Sequence, residues 1–188
     1  MSCYTAFVEF PPEELETARL RLRRPRIEDA GAAFDTYTSD KKITRYLTWS
    51  AHTTVAQTRE YFQQTIDAWD LRMGHRVWLI ERKEDGLLTG TIGCTVHFHR
   101  AEIGFALGSR FWGVGYMPEA LQRVCEAAFE DTRIARVQAL CDEENQRSCR
   151  VMEKVGMELE GRLRRYGYHP NRSDTPRDCL MYALIRSD

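Results

Sequence analysis

RFWGVGYMPEA, Arg110 to Ala120, sets two glycines one residue apart just ahead of an apolar helical pattern. Glycine costs backbone entropy, so the pair must do something a larger residue could not. It can make a tight turn, or it can let bare N–H groups approach an anion at a helix start. On its N-terminal side AEIGFAL (Ala101–Leu107) is a strand. On its C-terminal side Glu119–Glu130 is a helix with Ala120, Val124, Ala127 and Ala128 along one side.

The rest of the chain mixes strands and helices without a linker. Leu20–Pro25 alternates as a strand that ends at its proline. A helix is expected over Ile27–Thr38, opened by Glu28 and Asp29. A longer one is expected over Thr53–Leu71, where Val55, Tyr61, Phe62, Ile66 and Trp69 recur at helical spacing before Gly74 stops it. Val77–Glu81, Leu87–Phe98 and Ala101–Leu107 read as consecutive strands, and Ala135–Cys141 as a buried one. Ser148–Val155 is a helix ended by Gly156, and MELEGRLRRYGY and DCLMYALI close as two strands around PNRSDTP. The expected class is α/β, a mixed central sheet of about seven strands with helices on both faces.

Bulk properties narrow the function. The 188 residues suit one domain with a sizeable core, and 43% hydrophobic with 29% charged residues is ordinary for a soluble protein. A net charge of −1 gives no field that would steer the chain to nucleic acid or membrane. No apolar run is long enough to span a bilayer, and the first residues do not read as a signal peptide. Cys3, Cys94, Cys125, Cys141, Cys149 and Cys179 are scattered without a CxxC pair. They predict buried thiols in a reducing, cytoplasmic setting.

The glycine turn can aim the N–H groups of Phe111 to Met117 at a common centre, with a helix dipole behind them. Pro118, which has no N–H, suits the first helical turn, so an anion would be held by donors before it. A plain strand–helix turn explains the same pattern equally well. The segment lacks the third glycine of a dinucleotide fingerprint and the GK[ST] of a phosphate-binding loop.

Together these residues resemble the GNAT acyltransferases. Arg110-Phe111-Trp112-Gly113-Val114-Gly115 matches that family's R/Q-x-x-G-x-G/A signature, and NQRSCRVMEKVGM (Asn145–Met157) is similar to its N-x-x-S-x-x-v-x-E-K-x-G-F segment, with Met157 in place of Phe. LETARLRLRRP and GRLRRYGYHPNRSDTPRDCLMYAL resemble the Rim-type branch, the ribosomal-protein N-acetyltransferases and their relatives. The likeness begins at Leu15. It implies one acetyltransferase domain over residues 1–188, with 1–14 as an N-terminal extension, and a splayed strand pair holding the cofactor.

The resemblance also implies acetyl-CoA as cosubstrate and assigns residues to it. Arg110 belongs to the signature, and the pyrophosphate donors fall among Phe111, Gly113, Val114, Gly115 and Tyr116. The backbone of Phe105 and Leu107 would pair with the pantetheine arm, and Asn145 would bond it from the other side. Glu102 stands where histone-acetylating relatives carry their general base. On a strand it shares a face with Gly104 and Ala106, which leaves room for a ligand. The other reading is a solvated or salt-bridged carboxylate, with Glu81 a rival base. Ser148 stands where relatives protonate the leaving thiolate, and it lies three residues after Asn145, as a capping pair would. Tyr116 is within reach of the thiol or is simply packed.

Other features carry less. His97 and His99 share a strand face, but no third ligand has suitable spacing, so no metal is expected. Arg19, Arg21 and Arg23 alternate, as a sheet edge or an RNA-facing stripe would. Trp49, Trp69, Trp78 and Trp112 read as core or pocket wall, and Arg162, Arg164 and Arg165 as surface charge.

The expected activity is acetyl transfer to a primary amine by direct attack in a ternary complex. The acceptor expected from the resemblance is a protein or peptide N-terminus. A small-molecule amine (antibiotic, polyamine or amino-acid derivative) and a non-catalytic acyl-CoA sensor are the alternatives. No nucleic acid or membrane partner is expected, and a homodimer is usual among similar proteins.

Overall fold

The computed structural model describes residues 10–72 and 74–187. Eight strands form one sheet: β1 (Glu14–Glu16), β2 (Leu20–Arg23), β3 (His75–Arg82), β4 (Leu88–His97), β5 (Arg100–Leu107), β6 (Arg136–Asp142), β7 (Glu158–Gly167) and β8 (Arg177–Ile185). Their order across the sheet is β1-β2-β3-β4-β5-β6-β8-β7. Neighbours run antiparallel except β5 and β6, which are parallel. The sheet has one strand more than expected, because Glu14–Glu16 pairs with β2. Three residues are too few to show a period of two. Residues 1–9 of the expected extension, Cys3 among them, lie outside the described residues; of the remainder, Phe10 is buried and Glu14 opens β1.

Helices cover both faces. α1 (Ala30–Ala33), α2 (Lys41–Thr44) and α3 (Val55–Asp70) precede β3; α4 (Tyr116–Glu130) joins β5 to β6, and α5 (Gln146–Lys154) follows β6. The helix expected over Ile27–Thr38 is present over those bounds but changes pitch along its length: a 3-10 turn over Ile27–Asp29, then α1, then a wide π turn over Phe34–Thr38. There the Ser39 hydroxyl donates to the Phe34 carbonyl at 2.7 Å, and the Ser39 amide reaches the same oxygen at 3.4 Å, one residue beyond the α pattern.

The larger core joins α4 and α5 to one sheet face through Ile92, Ile103, Leu121, Val124, Val137 and Met152. A smaller one joins α1 and α3 to the other face through Tyr37, Phe62, Leu79 and Ala106. Each of the buried Val, Leu, Ile, Phe and Met side chains contributes about 1.5–3 kcal/mol on burial.

One feature of the sheet positions the site. The parallel pairing of β5 with β6 ends at Ile103 opposite Ala139, although β5 runs on to Leu107 and β6 to Asp142. The two strands therefore part, leaving Gly104–Leu107 across from Leu140–Asp142. The crevice opens at the carboxyl ends of parallel strands, where open α/β sheets bind ligands.

Candidate active site

The glycine turn sits at the mouth of this crevice. A 3-10 turn over Ser109–Phe111 uses up the Phe111 amide, which donates to the Gly108 carbonyl at 2.9 Å. Phe111 is thus no longer available as an anion donor, and its ring is buried. Gly113 and Gly115 both take left-handed backbone, with φ of +82° and +89°. Left-handed residues on either side of Val114 turn successive amides toward one side. Among the described residues the amides of Gly113, Val114 and Gly115 have no acceptor. Gly115 caps α4, which begins at Tyr116, three residues earlier than expected. Pro118 therefore falls in the first turn, where its missing N–H leaves no bond unmade.

Arginines border the turn. Arg19 pairs with Glu119 at 2.6 Å, donates to the Val114 carbonyl at 3.2 Å and covers the Tyr116 ring at 4.8 Å. Arg110 lies over the Phe111 ring at 4.7 Å, and Arg147 of α5 lies over Trp112 at 4.3 Å. Tyr116 is buried beneath Arg19, a packing position rather than one free to approach a thiol. The arginine stripe is paired throughout: Arg21 holds Glu14, and Arg23 holds Asp29 and Glu81. Glu81, the rival base, is therefore engaged with Arg23 at 2.8 Å.

Inside the crevice Phe105 is half-buried on the α4 face. The Leu107 carbonyl accepts the Trp112 indole N–H at 2.9 Å, so it keeps one lone pair for a ligand. On the opposite face, space over Gly104 is open: an added Cβ would meet nothing within 4 Å. Glu102 stands at the closed end of the crevice on that face. Its Oε2 accepts from the Gln138 amide at 2.9 Å. Thr95 sits opposite Glu102, and His75 opposite Thr95, with His75 Nδ1 2.9 Å from the Thr95 hydroxyl. Desolvation lowers the pKa of His75, and the Glu102 charge partly offsets it, so the imidazole is neutral at pH 7.

Across the crevice Asn145 caps α5. Its Oδ1 accepts the Ser148 amide at 3.3 Å, and its Nδ2 donates to Ser148 Oγ at 2.9 Å. The capping geometry is present, and it leaves the hydroxyl proton of Ser148 free to be donated elsewhere. Behind this turn lies a group that no sequence pattern revealed. Asp142, fully buried, takes Arg177 Nε at 2.5 Å and the Glu144 amide at 2.9 Å. Burial works against the charged form, but these hydrogen bonds outweigh it and hold the carboxyl below its usual range. Gln138 was also missed, though a glutamine inside the apolar run ARVQALC was a signal.

His97 and the neighbouring His99 end exposed at the β4–β5 hairpin, and among the described residues no group of three or more His, Cys, Asp or Glu could hold a metal. Cys94, Cys125, Cys141, Cys149 and Cys179 are buried and free. Among the described residues no helix is long and apolar enough to cross a membrane.

A crevice between parting parallel strands, with unpaired glycine-turn amides at a helix start beside it, suits an extended ligand with an anionic end. Residues 19–158 match the acetyltransferase (GNAT) domain, and the chain belongs to that family. It is an acetyl-CoA-dependent N-acetyltransferase. It is 31% identical over 179 residues to the N-acetyltransferase p20 of Bacillus licheniformis, covering 94% of this chain and 98% of that one. A GNAT-family acetyltransferase from Bacillus anthracis superposes with a TM-score of 0.80 at 28% identity, over 92% of this chain and 98% of that chain. RimL, a ribosomal L7/L12 alpha-N-protein acetyltransferase in complex with coenzyme A, also superposes with a TM-score of 0.80, at 23% identity over 92% and 98%.

Proposed function

We propose that the chain acts as a single acetyltransferase domain that moves the acetyl group of acetyl-CoA to the α-amine of a protein or peptide N-terminus. The observation that carries this reading is Glu102, a half-buried carboxylate at the closed end of the crevice, with one oxygen tied to Gln138 and open space over Gly104 beside it. An amine must be neutral to attack. Glu102 accepts its proton, directly or through water. An α-amine, with a pKa of about 8 against about 10.4 for lysine, is the easier of the two to deprotonate. The N-terminal and C-terminal likeness to the Rim-type branch, and the fold shared with RimL, favour the same acceptor.

The remaining residues act on the cosubstrate. Amides of Gly113, Val114, Gly115 and Tyr116, with Arg110 nearby, hold the phosphates. The backbone of Phe105, the amide of Leu107 and the side chain of Asn145 hold the pantetheine arm, and N–H groups of β5 beyond Glu102 polarise the thioester oxygen. The Ser148 hydroxyl gives its proton to the departing thiolate. Holding both substrates at once supplies much of the rate through proximity. The buried free thiols fit a reducing, cytoplasmic location. Neither nucleic acid nor membrane is a partner in this reading, and a homodimer is compatible with it.

The test is free-thiol release from acetyl-CoA with and without a panel of amines, products read by mass spectrometry. Transfer only to small amines moves the acceptor class, and binding without turnover makes the chain a sensor. Glu102→Gln should keep acetyl-CoA affinity and lower kcat by roughly 10²–10⁴, the loss shrinking as pH rises and the amine arrives neutral. Wild-type rates in that variant at neutral pH would remove Glu102 from the mechanism and leave His75 or water to take the proton.

A further inference from the structure

A chain of hydrogen bonds runs from the sheet edge to Glu102. Glu102 and Gln138 are partners in the parallel register, one position before the last pair of β5 with β6. Their side chains therefore share a face. Gln138 is buried, 7% exposed, and both ends of its amide are used. Its Oε1 accepts Arg136 Nε at 2.9 Å, and its Nε2 donates to Glu102 Oε2 at 2.9 Å. Arg136 in turn makes a two-pronged pair with Glu160, at 2.8 and 2.6 Å.

The direction of this chain is chemically forced. A guanidinium has only donors, so it selects the oxygen end of the Gln138 amide and turns the NH₂ end to Glu102. Without Arg136 the amide could rotate and set oxygen against oxygen. Glu160 owes its position to a bulge: Leu159 faces Tyr182 and Gly161 faces the adjacent Met181, so Glu160 is the extra residue of β7. Bulges re-aim a side chain out of strand alternation, and they gather near active sites. Here the extra residue pairs with Arg136 on β6, two strands away.

We infer that Gln138, held by Arg136 and Glu160, is a positioning residue for the transfer reaction, locking the Glu102 carboxylate so that Oε1 faces the acceptor amine. This rests on Glu102 being the base. Other titratable groups around Glu102 are His75 from β3, Arg100 two residues back on β5, Arg136 on β6 and the Cys94 thiol of β4, which burial keeps protonated. The hydrogen-bond chain uses Arg136 alone among them.

The test reads thiol release from acetyl-CoA, with a mixture of tetrapeptides bearing free α-amines as acceptor and with water alone. Gln138→Leu keeps the bulk and removes the polar ends. It should lower kcat roughly ten- to hundredfold, as expected for losing a bond to a charged group. KM for the peptides and Kd for acetyl-CoA should stay within about twofold, since neither ligand is touched by Gln138. In a Glu102→Gln background the same change should have no further effect. Arg136→Met, at the partly exposed end of the chain, should reproduce the kcat loss with Gln138 intact, which keeps the test open if Gln138→Leu folds poorly. An equal loss from Gln138→Leu in both backgrounds, or a raised Kd for acetyl-CoA, would make the role merely structural and overturn the inference. Wild-type kcat in Gln138→Leu with a defective Glu102→Gln would overturn it alone. Wild-type kcat in Glu102→Gln would overturn the base reading with it.

Discussion

Replacing Gly115 with valine separates a nest from a plain turn. Gly115 has φ of +89°, a conformation that a β-branched residue adopts only under strain of about 1–3 kcal/mol. Space is not the obstacle, because the nearest atom to an added Cβ is Arg19 Nη2 at 3.5 Å, an ordinary contact. The variant can keep the backbone and bear the strain, lowering Tm by about 2–4 °C per kcal/mol at this chain size. Or it can relax to negative φ, swinging the peptide groups on either side of residue 115 away from their common centre. Each amide–phosphate bond lost is worth about 1.5–3 kcal/mol, roughly ten- to a hundredfold or more in Kd. Calorimetry with coenzyme A and desulfo-coenzyme A should show the same weakening for both. S-acetylpantetheine, which carries no phosphate, should bind and turn over as in the wild type. Unchanged coenzyme A affinity in a folded variant would mean that the glycines only turn the chain. Equal weakening toward S-acetylpantetheine would mean that the whole crevice had shifted.

Two further outcomes follow from the same geometry. Ser148→Ala removes a hydroxyl that accepts from Asn145 and is free to donate its proton; a purely structural role predicts a stability loss of about 0.5–1.5 kcal/mol in melting curves with near-normal turnover at low temperature, since the Asn145 cap keeps its bond to the residue 148 amide. A proton-donating role predicts a turnover defect that shrinks with a thioester whose thiol is more acidic, read by stopped-flow thiol release. Asp142→Asn should destabilise by about 1.5–3 kcal/mol in urea titrations at pH 7, because a charge-assisted bond to Arg177 is lost while Arg177 keeps Glu144. The folded carboxyl has a lowered pKa, so its contribution is present above the unfolded value of about 3.9 and is lost as pH falls through the folded value. The wild type should therefore lose stability more steeply than the variant below about pH 4.

Much of this protein is legible in the linear chain, because its local signals are strong. The alternation of LRLRRP, the helical spacing of Val55 to Trp69 and the two glycines at 113 and 115 are properties of neighbours in sequence, and each formed the local structure it implied. The left-handed turn could be anticipated for the same reason, since positive φ is a requirement that glycine meets alone without strain. The chain could not show where Phe111 donates. Its amide closes on Gly108 because the Ser109–Phe111 turn tightens, and its own ring then points inward as core.

The crevice and its chemistry belong to the tertiary structure. Whether β5 and β6 stay paired to their ends depends on what α4, α5 and β8 impose on them, and no window of AEIGFAL or ARVQALC contains that information. A carboxylate on a strand is only an acidic residue until its cross-strand neighbour is known. Glu102 meets Gln138 across 36 positions, Gln138 is oriented by Arg136, and Arg136 is held by a bulged Glu160 on a strand two away. Asp142 finds Arg177 across 35 positions in the same manner. Local dihedral preference and periodicity act over a few residues, and so they wrote the elements into the sequence. The partners of buried polar groups are chosen by register between distant strands, and only the folded sheet decides them.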